Sequence, residues 1–174
     1  MEMSYFNKID TDEIIAMAAY SEDESYKFYL ALADQVNNDF LKEKLRYFAD
    51  QEKFHKKILI DLNENLFGKK EVKEPSKKYP FECFIQNANI HNINSLLETI
   101  EIAMNCEKRA ETIYKIISTR LKDKYAKKIF LYLSNMEKQH YIALKGDYDF
   151  FNKFAGSIDE LNKKSSFIGI KFKK

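Results

Sequence analysis

The chain has 174 residues, 45% hydrophobic and 32% charged, enough apolar content for one core and enough charge to keep its outside wet. Its 29 basic and 27 acidic residues nearly cancel, and the lysine pairs at 56–57, 69–70, 77–78 and 173–174 form no continuous basic stripe, so no nucleic-acid partner is expected. No apolar run approaches the ~20 residues of a membrane helix, and the opening MEMSYFNKIDTDE lacks a leader's apolar stretch, which predicts a cytoplasmic chain without a membrane partner, one domain over 1–174.

Gly68, Pro75, Pro80, Gly146, Gly156 and Gly169 are the expected breaks between long helix-compatible stretches. Asp10 with Glu13 three residues on reads as a capping box, opening a first helix that runs to about Gln35. After Asn37-Asn38-Asp39 a second helix runs from about Phe40 to Leu66, closing an antiparallel hairpin over 10–66. Residues 67–94 form a Lys-, Pro- and Asn-rich connector, far longer than the usual 2–8 residues between bundle neighbours. At ~3.3 Å per residue it can return along a whole ~40 Å helix, so it is predicted to be a crossover that starts the third helix parallel to the second. Within it the apolar run Tyr79–Ile85 should pack on the bundle's side, and His91 reads as a solvated loop residue. The third helix opens on a Ser95/Glu98 box and ends near Thr119; the fourth runs from about Lys122 to Phe154, giving a second hairpin over 95–154. The tail, 155–174, carries a Ser157/Glu160 box and then Phe167 to Phe172, which predicts a short helix and an extended end. Cys83 and Cys106 stand in no C-x-x-C pair and read as isolated thiols, not as a disulfide framework or a sulfur-ligated metal ribbon.

One pattern occurs twice, 85 residues apart: a lone glutamate, then, thirty residues on, Glu-x-x-His. The first copy is Glu22 with Glu52 and His55; the second is Glu107 with Glu137 and His140. Helical periodicity places all six inward. The second helix reads Leu41, Leu45, Phe48, Glu52, His55, Leu59, Leu62, Leu66, and the fourth repeats the frame with Ala126, Phe130, Leu133, Glu137, His140, Leu144. The first gives Ile15, Ala18, Glu22, Ser25, Tyr29, Leu32, Val36; the third gives Ile100, Ala103, Glu107, Ala110, Tyr114, Ile117, Leu121. Glu24, Glu98, Glu101 and Glu111 fall off these stripes, on a solvated face. Tyr29 and Tyr114, two turns beyond the lone glutamates, are placed either to hydrogen-bond a ligand carboxylate or relay an electron, or simply to fill the core.

Four buried carboxylates cannot persist as free anions, because burying even one ionised carboxylate without a partner is expensive. Two divalent cations against four glutamates leave the site near neutral, and two imidazoles complete the shells without adding charge. A single Glu-x-x-His is a commonplace surface pair; two copies in register, each with a core-facing glutamate upstream, point to a di-metal site in a four-helix bundle. Mixed nitrogen and oxygen ligation with open positions favours iron or manganese over a closed structural zinc.

The stretches Ala19–Tyr29 and Phe48–His55, followed by Cys106–Ala110 and Met136–His140, make the chain resemble the ferritin-like di-iron proteins, specifically the rubrerythrin-like branch. The resemblance covers about residues 10 to 154 and implies an all-α, ferritin-like four-helix bundle of two antiparallel hairpins joined by a long crossover. It further implies that Glu22, Glu52, His55, Glu107, Glu137 and His140 hold two iron ions, Fe2+/Fe3+, bridged by glutamates, with manganese or zinc as possible substitutes. Peroxide or dioxygen reduction is the implied activity; ferroxidase and iron storage of the bacterioferritin type, or a non-catalytic metal-binding bundle, are the alternatives. Two departures matter. The four-cysteine rubredoxin segment is missing, which calls for an external electron donor, rubredoxin-like or a flavoprotein. Met104 stands where such proteins tend to carry a further glutamate, one turn before Glu107. Lys53 stands where a bacterioferritin would offer a haem-ligating methionine, so no haem is expected. A homodimer is the expected assembly.

Overall fold

A computed structural model describes residues 9–36, 39–76 and 93–164, with side chains to 155. Four helices account for most of them: α1 (Thr11–Gln35), α2 (Asp39–Phe67), α3 (Ile93–Arg120) and α4 (Lys124–Lys164). The predicted stripes are the buried faces: Ile15, Ala18, Leu59, Ile117, Ala126, Phe130 and Leu133 are fully enclosed. The packing forms two apolar layers. One gathers Tyr29, Leu32, Leu45, Phe48, Ile100 and Leu144; the other gathers Ile15, Leu59, Ile113, Tyr114, Phe130 and Leu133. The glutamate–histidine positions fall between them, at the waist of the bundle. Truncating a residue such as Leu59 to alanine would cost about 2–5 kcal/mol, so each layer is strong enough to hold a polar waist in place.

Chain direction follows from the cross-contacts. Tyr29 meets Glu107 while Tyr114 meets Glu22, so α1 and α3 are antiparallel. His55 meets Glu137 while His140 meets Glu52, so α2 and α4 are antiparallel too. With short links inside each hairpin, α2 and α3 must then run parallel, as a crossover connection requires.

Several helix ends differ from the sequence expectation. Asp10 precedes α1 but makes no side-chain cap. Glu13 instead accepts hydrogen bonds from the Ser76 backbone (2.7 Å) and hydroxyl (2.6 Å), and with Asp12 it pairs with Lys73. The Glu13 carboxylate is thus engaged by the connector, while Asp12, besides pairing with Lys73, accepts from the Glu13 N–H at 2.9 Å. Ser95 lies inside α3, its carbonyl accepting from Thr99 at 2.7 Å, so the expected box is not where this helix starts. The α4 cap is Asp123, whose carboxylate accepts from the Ala126 N–H at 2.8 Å.

Gly68 does end a helix: it adopts φ +68° and its N–H reaches the Glu64 carbonyl at 2.8 Å. Buried Asn63 then holds the turn, donating to the carbonyls of Lys69 and Glu71. Gly146 and Gly156 break nothing, because α4 continues through both to Lys164 and absorbs the separate short helix expected in the tail. Glycine costs a helix interior roughly 1 kcal/mol, and the packing of Leu144 and Phe151 on the core outweighs it. Cys106 is disulfide-bonded, correcting the expectation of an isolated thiol. Spacing along a sequence does not reveal which cysteines come together in space. The expectations for Tyr79–Ile85, Cys83, His91 and residues 165–174 lie outside the described residues.

Candidate metal centre

Each ligand candidate sits where its helix stripe crosses the waist, one residue pair per Glu-x-x-His turn and one lone glutamate per partner helix. All six are buried, none more than 4% exposed. The two imidazoles stack with ring centres 5.3 Å apart and planes 18° from parallel. His55 Nδ1 lies 3.1 Å from Glu137, 3.5 Å from Glu52 and 3.6 Å from Glu22. His140 Nδ1 lies 2.9 Å from Glu52, 3.3 Å from Glu137 and 3.6 Å from Glu107.

Glu52 and Glu137 therefore approach both imidazoles, while Glu22 approaches only His55 and Glu107 only His140. One ligand atom from each of Glu52, His55, Glu137 and His140 falls within 4.8 Å of the others, a group that could hold a metal ion. These are ion-pair distances without hydrogen-bond directions: Glu52 Oε1, Glu137 Oε1 and both Nδ1 atoms make no directed hydrogen bond. Buried acceptors aimed at one another without donors between them are costly, and a cation among them removes that cost.

The protein-only electrostatics describe the same need. Burial drives the Glu52 carboxyl well above its ordinary range, helped by the charges of Glu137 and Glu107. Burial also lifts Glu107, to about 8. Glu137 is likewise penalised by burial, but His140 and His55 beside it more than compensate and hold it below the usual range. Burial would lower both histidines; the surrounding glutamates win, raising His55 and pushing His140 up to about 12. Metal-free, the cluster neutralises itself with protons where divalent cations would serve.

The tyrosines fix the lone glutamates from across the bundle. Tyr29 donates to Glu107 and Tyr114 to Glu22, so each phenol links its own hairpin to the other. Burial first, and the facing glutamate second, hold both phenols well above the ordinary tyrosine range. They are therefore neutral donors, and the hydrogen bond to a ligand carboxylate is one of the arrangements that helical spacing had left open. Met104 packs against the apolar layer and adds no carboxylate. Glu24, Glu98 and Glu101 are exposed, and Glu111 pairs with Lys108.

A cavity of about 20 Å³ opens between α1 and α3 onto Glu22, Glu52, Glu107 and Glu137, with Ser21, Ser25, Cys106 and Arg109 around its mouth. Sequence reasoning missed this access, because Ser21, Cys106 and Arg109 sit off the core stripe and Ser25, which lies on it, reads there as a small core residue.

A bundle of this topology with a carboxylate–imidazole waist is ferritin-like. The rubrerythrin family model matches residues 13–148, and the chain belongs to the rubrerythrin family. A solved structure, a hypothetical protein from Pyrococcus furiosus, matches with TM-score 0.78 at 26% identity, over 87% of this chain and 96% of that one. Among curated proteins, none matches. Among the described residues, no helix is long and apolar enough to cross a membrane.

Proposed function

We propose that this protein is a non-haem di-iron oxidoreductase that reduces hydrogen peroxide or dioxygen. The observation that carries the reading is the convergence of two Glu-x-x-His pairs on one buried, donor-poor centre with a polar opening. Glu52 and Glu137, each within reach of both imidazoles, would serve both metal positions, with Glu22 and His55 holding one and Glu107 and His140 the other. When bound, iron supplies the redox change between Fe2+ and Fe3+. The ligand residues would hold the metal ions in place, and the apolar layers on either side keep bulk water from the waist. Tyr29 and Tyr114 keep their protons and hold the lone glutamates in orientation. At the opening, Ser21 and Ser25 offer the hydrogen-bond partners a peroxide molecule must find on leaving water. The electrons come from a rubredoxin-like or flavin-bearing donor. A cytoplasmic homodimer is the proposed working form.

The test is anaerobic Fe2+ titration of metal-free protein, then peroxide or oxygen with the near-ultraviolet absorbance followed. Saturation near two irons per chain and a rapid ferric band, faster with peroxide, are the expected results. Uptake far beyond two would move the assignment to iron storage, and absence of stoichiometric binding would leave only a structural bundle.

A further inference from the structure

A second cavity, also about 20 Å³, lies beyond the Tyr29 end of the metal centre. Leu45, Leu96, Ile100, Ala103 and Leu144 form most of its wall, and Tyr29 and Phe48 form the side facing the ligands. Those two rings stack at 5.2 Å; Tyr29 donates to Glu107 and Phe48 sets its edge 5.3 Å from the His140 ring. This aromatic pair lies between the cavity and the ligand set. At its outer end Lys44 and Asp147 close the gap between α2 and α4 as an ion pair at 2.6 Å.

The wall selects against water and peroxide. Its two hydroxyl donors are already committed, Tyr29 to Glu107 and Thr99 to the Ser95 carbonyl. A space so walled leaves a water short of the two to four polar partners it needs, whereas a diatomic gas needs none. At two positions of its wall the internal repeat places a larger side chain in the other half. Leu45 corresponds to Phe130 and Thr99 to Ile14 in the 85-residue frame, and Phe130 packs edge-on against Tyr114 at 5.7 Å. The Tyr114 half carries the bulkier residue at both positions.

We propose that the cavity behind Tyr29 and Phe48 is a dioxygen-binding site, so that dioxygen reaches the metal centre through the apolar layer while peroxide uses the polar mouth between α1 and α3. The binding stands on the protein alone; its purpose rests on the redox function proposed above.

Dioxygen is paramagnetic and speeds the relaxation of protons where it resides, so the first measurement uses metal-free protein under dioxygen against argon. The methyl groups of Leu45, Leu96, Ile100, Ala103 and Leu144 should show larger enhancements than the buried methyls of the other layer, Ile15, Leu59, Ile117 and Leu133. Leu45→Phe, which copies the other half of the repeat, should abolish the difference; Thr99→Ile does the same by a second route should the first variant not fold. Equal enhancement in the two layers overturns the site. With iron loaded, the filled variants should oxidise severalfold more slowly with dioxygen and at the original rate with peroxide; an unchanged ratio overturns the route. Failure to bind iron would remove the redox function while leaving the relaxation result intact.

Discussion

Tyr29 and Tyr114 hold the two lone glutamates by one hydrogen bond each, and each bond crosses from one hairpin to the other. Removing one hydroxyl leaves a buried carboxylate oxygen without its donor while leaving the ring to pack. Tyr29→Phe should therefore weaken metal binding at the Glu107–His140 end about 10-fold or more, and Tyr114→Phe at the Glu22–His55 end, as loss of an outer partner of a ligand usually does. Competitive metal titration would show one weakened site per variant; two equally weakened sites would contradict the pairing. Proton uptake gives a second prediction. In metal-free protein Glu107 keeps its proton up to about pH 8 and His140 to about 12, whereas the unfolded chain releases them near 4.5 and 6.5. Below about pH 4.5 both states hold the Glu107 proton; from there to about 8 the folded state alone retains it. The His140 contribution is full below about pH 6.5 and is lost as pH climbs toward 12. Glu137, held low, costs stability only below about pH 4.5. Metal-free stability thus falls as pH rises from about 5 to 8, by about 1.4 kcal/mol per pH unit for each retained proton. Metal affinity runs the other way, since binding expels those protons. Calorimetry should find the gap in Tm between loaded and metal-free protein widening across this range; a constant gap would contradict the proton count.

Among the elements, α4 is the one the sequence misrepresents. At 41 residues it is about 60 Å long, and two glycines lie within it. A side chain at Gly146 would meet nothing within 4 Å, and its backbone is ordinary helix, so Gly146→Ala should raise stability by about 0.5–1 kcal/mol. At Gly68, where φ is +68°, the same substitution should lower it by about 1–2 kcal/mol. Thermal unfolding of the two variants should move Tm in opposite directions. The contrast shows what was legible. Stripes such as Leu45–Phe48–Glu52–His55 placed all six ligand candidates inside, because burial of many residues in phase dominates helix orientation. Single-residue signals failed where packing or a distant segment outweighed them: Gly146 inside a helix, Glu13 taken by Ser76 instead of its own helix end, Cys106 in a disulfide. The cavity behind Tyr29 was not legible at all, being the volume left between four helices.

For the molecule as a whole, the nearest carboxylate to each imidazole belongs to the opposite hairpin, Glu137 for His55 and Glu52 for His140. A metal pair would therefore fasten hairpin to hairpin. Free metal at about a hundred times its dissociation constant should add about 2.7 kcal/mol to stability. Hydrogen exchange should slow together at the waist of all four helices; slowing confined to one hairpin would mean that a hairpin binds metal by itself. The same crossing bears on the order of synthesis. A chain leaving the ribosome finishes its first hairpin while the second does not yet exist, and domains complete their folding as units. Glu22, Glu52 and His55 are by then made, but the carboxylates that close the centre are still to be translated. The nascent chain has no finished cage in which to trap a reactive ion, and the centre can first assemble only when the last turns of α4 needed for His140 have emerged.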